Sequence, residues 1–274
     1  MIRVMPGVIR NAAVAGRFYP SDPRDLEDDV RSFLSPATEA IPALGCVVPH
    51  AGYMYSGEVA GTVYAKLNIP QCCIVMCPNH TGLGQPLSIM SAGWWETPLG
   101  RTAIDSKLAT QLKAKFPYLQ EDSEAHRAEH AAEVQLPFLQ VIKKNFSFVP
   151  IALGIRQFEI LDALGTAIAQ VAAEQTEPVL LIASSDMNHY ENDAITRIKD
   201  RKAIDRILTL DPRGLFDVVI REQISMCGFG PTVVMLSAAK QLGAKHAELV
   251  KYATSGDVSG DRNMVVGYAG IIVN

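Results

Sequence analysis

Apolar residues in this chain gather into short unbroken runs, and segments of helical period separate them. The runs fall at 45–49 (GCVVP), 72–78 (CCIVMCP), 87–91 (LSIMS), 146–153 (FSFVPIAL), 179–184 (VLLIAS) and 264–273 (MVVGYAGIIV). A strand with one wet face alternates apolar and polar residues, whereas a strand covered on both faces does not. These runs therefore predict strands buried between layers. The intervening segments carry the 3.6-residue period and predict helices over 22–34, 56–67, 106–116, 132–144, 160–174, 194–208, 212–220 and 230–243. Ser21 or Asp22 caps the first of these, with Pro23 in its opening turn, and Gly243 closes the last. The alternation predicts an α/β fold with a largely parallel or mixed central sheet and helices on both faces. No repeat, low-complexity segment or long Gly/Ser linker divides the chain, so residues 1–274 read as a single domain.

Ligands of such sheets bind beyond the carboxyl ends of the strands. Three predicted strands end there in residues of metal-binding type: His50 in PHAG, His80 in PNH, and Asp186 with His189 in SSDMNH. Each ending alone reads equally well as a turn. Together they place three of the chain's six histidines at one edge, which points to a shared site. Two neutral imidazoles make a partial shell for iron, copper or zinc, and a third ligand is needed. Cys227, in MCGFGP, precedes a helix whose dipole would favour the thiolate, and Gly228 and Gly230 permit close backbone approach. A buried, inert cysteine is the plainer reading of the same spacing.

Cys72, Cys73 and Cys77 alternate within one strand, so Cys73 and Cys77 share a face, and all three read as small core residues. The string His126-Arg127-Ala128-Glu129-His130 matches the H-x-x-E-H pattern of inverted zinc proteases, in which one helix presents both histidines. The alternative reading makes Glu129, His130 and Glu133 a polar patch at a helix start, from which one or two side chains orient metal-bound imidazoles. His126 and His246 then belong on the solvated surface. GWWETPLG reads as a hairpin tip, with Trp94 and Trp95 packed beneath a loop.

Composition narrows the field. A net charge of −4 and a pI near 5.9 argue against nucleic acid, which requires a basic face. No apolar run approaches the length of a bilayer span, and the first twenty residues, interrupted by Arg10 and Arg17, lack the apolar stretch of a signal peptide. Five cysteines, three of them within one run, do not form a secreted disulfide framework. A cytoplasmic protein is expected.

The blocks VAGRFYPSDPRDL, PHAGYMYSG, CPNHTGLG, WETPLGRTAID, EHAAEVQLPFLQ, SSDMNHY, CGFGPTVVML and TSGDVSGDRNMVVGYAG occur in order from about residue 13 to 270. In this the chain resembles the Memo family, most closely its prokaryotic branch, the AmmeMemoRadiSam system protein B. The resemblance implies the fold of class III extradiol dioxygenases, with a metal where those enzymes hold non-haem iron. It implies His50, His80 and Cys227 as metal ligands, His189 as the acid/base residue beside Asp186, and Glu129 with His130 near the pocket. It further implies redox chemistry dependent on iron or copper, with zinc as a third candidate, acting on an unidentified small molecule or peptide. Radical-SAM and AMMECR-type proteins are implied as partners. Cys227 replaces the hard carboxylate of the dioxygenases by a soft thiolate, which shifts the preference toward copper or zinc and weakens the case for ring cleavage. The rival expectation is a non-catalytic scaffold with a vestigial pocket.

Overall fold

The unbroken apolar runs become neighbouring strands. The structure, a computed structural model, describes residues 8–34 and 40–274, so the leader reading of residues 1–20 lies partly outside it. In chain order the strands are β1 (Ile9–Arg10), β2 (Gly45–Val48), β3 (Cys72–Pro78), β4 (Leu87–Ile89), β5 (Trp94–Thr97), β6 (Gly100–Ile104), β7 (Gln120–Glu121), β8 (Ser147–Leu153), β9 (Val179–Ser184), β10 (His189–Glu191), β11 (Ala247–Thr254) and β12 (Val265–Val273). The helices are α1 (Pro23–Phe33), α2 (Tyr53–Ala65), α3 (Ser106–Lys115), α4 (Glu124–Arg127), α5 (Leu136–Ile142), α6 (Phe158–Ala173), α7 (Asp193–Leu208), α8 (Pro212–Arg221), α9 (Phe229–Gln241) and α10 (Ser255–Ser259).

The sheet is mixed, in the order β1-β5-β6-β8-β3-β9-β2-β12-β10, with β11 added to β12, β4 to β8, and β7 to β4. Its central block, β6-β8-β3-β9-β2, is parallel throughout. β12 closes β2 antiparallel. Successive residues point to opposite faces, and both faces are dry. Val47, Ile74, Met76, Val149, Ile151 and Leu181 pack under α3, α6, α7, α8 and α9. Cys46, Val48, Cys73, Val75, Cys77, Phe148 and Ile182 pack under α1, α2 and α5. Cys73 and Cys77 thus share a face, and Cys72 packs against the opposite core. Burial on both sides is the physical reason the runs do not alternate.

Local chemistry sets the boundaries. The Asp22 side chain accepts hydrogen bonds from the N–H groups of Arg24 and Asp25 and opens α1. Gly243, at φ 97°, follows the end of α9. The single helix expected over 132–144 is instead a 3₁₀ turn at Glu133–Gln135 followed by α5. Pro137 has no N–H to donate, so it sits in the first turn of α5 rather than in the middle of a longer helix. GWWETPLG does form a hairpin, with Thr97 paired to Gly100. Trp95 lies fully buried beneath it, against Phe148 and His126. Among the described residues no helix is long and apolar enough to cross a membrane.

Candidate metal centre

The five parallel strands of the central block end on the same side of the sheet, and the loops that follow three of them build the site. His50 follows β2, His80 follows β3, and the SSDMNH segment follows β9. Donor nitrogens of His50, His80 and His130 lie within 4.8 Å of one another. The His80 and His130 rings stack with centroids 4.7 Å apart, and His50 stands edge-on to both. Cys227 Sγ lies 3.1 Å from His50 Nε2.

The hydrogen bonds around the rings fix which nitrogen of each is free. Ser184 Oγ spends its one hydrogen on Ala131 O at 2.6 Å, so it accepts from His50 Nδ1 at 3.0 Å and from Gln135 Nε2 at 2.9 Å. His50 therefore carries its proton on Nδ1 and turns an unprotonated Nε2 toward Cys227. Glu129 Oε1 accepts from His80 Nδ1 at 2.9 Å and faces His130 Nδ1 at 3.4 Å. The same carboxylate receives the backbone N–H groups of His80 and Ala131. His50 and His80 are thereby held by Nδ1, which leaves Nε2 of each free, in the way proteins orient histidine ligands, while His130 only faces the same carboxylate.

Charge follows the same plan. Burial and the neighbouring His80 hold the His50 imidazole well below its ordinary pKa. Burial, together with His50, brings His130 down to about 4. Burial also acts to lower His80, but the hydrogen bond and charge of Glu129 outweigh it and leave its pKa raised. Burial acts to raise Glu129, but the hydrogen bond to His80 and its charge bring the carboxyl down to about 2. Cys227 corrects an expectation. Burial, then the charge of Asp186, push its thiol well above the ordinary value and override the helix dipole expected to favour the thiolate. Cys227 is also two residues ahead of α9, and Gly228 N donates to Ser185 Oγ at 3.0 Å.

The polar residues at the end of β9 and just beyond it have separate tasks. Ser184 orients His50, and Ser185 anchors Gly228. Asp186 Oδ1 accepts from His50 N at 2.7 Å, and burial raises its carboxyl pKa. Asn188 N donates to buried Asp200, and Asn188 Oδ1 accepts from Ser225 N and Oγ. His189 Nδ1 donates to Ser225 O at 2.9 Å, since a carbonyl can only accept, so its Nε2 is free. Gly228 is required by close approach: an added Cβ would collide with Ser184 O and Ser185 Cβ.

The four histidines, Asp186 and Cys227 line one cavity of about 930 Å³, roofed in part by Phe18 and walled by Val219, Ile220, Ile224, Met226 and Phe229 of the α8–α9 region. The structure does not place every candidate there. α4 ends at Arg127, so His126 and His130 do not share a helix. His126 is not a surface residue, as its polar neighbours suggested, but is fully buried against Trp95. Neither of its ring nitrogens has a hydrogen-bond partner among the described residues. The zinc-protease geometry is therefore absent. Glu133 is turned away from the cavity, where it pairs with buried Arg10 and accepts from Tyr19 and the N–H groups of Ala13 and Val14. His246 is exposed, as expected.

Sequence reading did not bring His130 to the other two rings as an equal donor. It sits in the loop between α4 and the 3₁₀ turn, where no periodicity announces it. Phe18 carries no signal beyond its motif. In the sequence Arg10 signals only a charge that argues against a signal peptide. It donates to His126 O and Glu129 O and so fastens the segment that carries Glu129 and His130.

Comparison with known proteins identifies the lineage. Residues 10–272 match the family model for Memo-like protein. The chain belongs to the Memo family. A MEMO1 family protein of Methanopyrus kandleri is 45% identical over 277 residues, covering 96% of this chain and 98% of the relative. Another, of Methanothermobacter thermautotrophicus, is 42% identical and covers 96% and 99%. A third Memo relative, of Pyrobaculum aerophilum, is 43% identical. A solved structure of an uncharacterized protein from Escherichia coli K12 superposes with a TM-score of 0.54 at 11% identity, over 83% of this chain and 98% of that one. That likeness concerns the fold alone.

Proposed function

We propose that this Memo-family chain is a metal-dependent oxidoreductase acting on a small organic molecule. Its ion lies between His50 and His80, is completed by the thiolate of Cys227, and has His130 as a further nitrogen donor. The observation that carries the reading is the convergence of three imidazoles, two of which have Nδ1 engaged by Ser184 and Glu129. An imidazole and thiol set suits iron, copper or zinc and does not suit magnesium or calcium, which take oxygen ligands. Nitrogen and sulfur donors about 2.0–2.3 Å from one tetrahedral ion stand about 3.6 Å apart, so Cys227 Sγ, 3.1 Å from His50 Nε2 and outside the set of three converging imidazoles, joins the ion by a shift of about half an ångström.

When bound, iron or copper supplies one-electron chemistry and a Lewis-acid centre. The chain's own residues supply the rest. Glu129 and Ser184 keep the Nε2 lone pairs of His80 and His50 pointed inward. Asp186 fixes the backbone of His50. His189, tied by Nδ1 to Ser225, offers Nε2 to a proton on the substrate. The α8 side lines the cavity with the apolar residues Val219, Ile220 and Ile224.

The test is elemental analysis of protein purified without oxygen. Wild type is expected to carry iron or copper, and His50→Ala to lose it. Cys227→Ser is expected to weaken retention and His130→Ala to weaken it less. Equal metal content in wild type and His50→Ala overturns the reading.

A further inference from the structure

Two arginines flank one row of aromatic rings beside the cavity. Arg213 lies over Phe158 at 4.6 Å, Phe158 meets Phe216 at 5.6 Å, Phe216 meets Phe229 at 6.0 Å, and Arg156 lies over Phe229 at 5.6 Å. Their electrostatic situations differ. Arg213 is neutralised by Glu159 and Asp217. Arg156 makes no ion pair or hydrogen bond among the described residues, although the chain as a whole carries excess negative charge. Arg156 also lines the main cavity and a smaller one of about 210 Å³ that reaches His80 and Cys227 from the other side. Arg156 is exposed, and its guanidinium lies over the Phe229 ring with its N–H fork free for a ligand.

The opposite rim carries strain. Tyr190 adopts φ 60°, a left-handed conformation costly for a bulky side chain, and remains largely exposed while lining the same cavity. Its ring rests 5.6 Å from that of His189. Tyr190 and the apolar residues Val219, Ile220 and Ile224 offer a surface for an uncharged, ring-sized body.

We propose that the cavity takes a small organic acid, whose anionic group is held by Arg156 and whose apolar body lies between Tyr190 and the α8 wall. The proposal deepens the metal-dependent reading and rests on it for turnover, but the recognition step belongs to Arg156 itself. Arginine grips a planar carboxylate through two parallel N–H donors, so an uncharged isostere of the same shape is rejected.

The experiment measures equilibrium binding of benzoate, benzamide and acetate to protein stripped of metal by a chelator, in wild type, Arg156→Gln and Arg156→Lys. Wild type is expected to bind benzoate about tenfold more tightly than benzamide, the difference a charge-assisted contact commands. Acetate, lacking the apolar body, should bind more weakly than benzoate. Arg156→Gln should equalise benzoate and benzamide, and Arg156→Lys should keep part of the preference. Equal binding of both probes to wild type, binding of neither, or a benzoate preference that survives Arg156→Gln overturns the proposal. If Arg156→Gln loses both ligands, Arg156→Lys decides, because loss of the preference there also overturns it. Because the protein is metal-free, an Arg156-dependent preference stands even if elemental analysis removes the metal reading.

Discussion

Cys227 Sγ stands 3.1 Å from His50 Nε2, although 177 residues separate the two in sequence. The contact is made by β9, whose last residues hold His50 on one side and Gly228 on the other. Substituting Cys227 by Ser keeps the volume and leaves α9 in place. The expected result is an unchanged fold by circular dichroism, with metal retention weakened against a competing chelator. Retention equal to wild type would remove the sulfur from the centre.

Glu129 holds His80 by both its ring Nδ1 and its backbone N–H. Glu129→Gln leaves one acceptor where the carboxylate now serves three donors. Partners of this kind are worth about 10- to 100-fold in metal affinity. A chelator titration should show a loss in that range, and an unchanged affinity would reduce Glu129 to a loop support.

Gly228→Ala puts a methyl group against Ser184 O and Ser185 Cβ. Both are parts of the sheet's own edge and cannot yield cheaply. The expected cost is about 1–3 kcal/mol in chemical denaturation, with displacement of Cys227 and weaker metal binding. Wild-type stability in this variant would mean the loop relaxes freely.

Asp200 gives the fold a pH dependence. Burial raises its carboxyl from an ordinary 3.8 to about 7, against the hydrogen bonds from Tyr252 and Asn188 N and the charge of Arg197 and together with that of Glu191. The folded chain keeps the proton up to about pH 7, whereas the unfolded chain releases it near pH 4. Stability from this residue is therefore fully present below about pH 4 and is lost as pH rises toward 7. Asp200→Asn should flatten that slope, so that its melting temperature relative to wild type is higher at pH 8 than at pH 5. A parallel pH profile in the two proteins would contradict this.

His126 tests the buried side of the same region. Burial brings its pKa down to about 4, so it is neutral, and its ring nitrogens find no partner among the described residues. His126→Leu, of similar volume, removes that desolvated pair and should leave stability equal or raise it by about 1 kcal/mol. Metal content should not change. Loss of metal in this variant would restore a role for the H-x-x-E-H string.

What the sequence made legible was whatever depends on local pattern. The central strands were readable because burial on both faces writes an unbroken run, and the site edge because those runs stop at His50, His80 and Ser184. What it hid depends on distant partners. β11 alternates charged Glu248 and Lys251 with apolar residues and pairs only along β12, so its run never became continuous. His126 sits in a polar string yet is drawn inward by Trp95, and Glu133 answers Arg10 across 123 residues. No spacing rule reports such pairs. The place of His130 likewise follows from a distant partner, the ring of His80 on which it stacks.

The position of β2 between β9 and β12 has a consequence for biosynthesis. A chain emerging from the ribosome exposes its three imidazoles long before the sulfur, and β2 keeps an open edge until the final strand arrives. Early metal capture by the nascent chain would thus lack both thiol and closed sheet. On the proposed reading, the complete donor set is mounted on a closed sheet only once β12 has paired with the strand that carries His50.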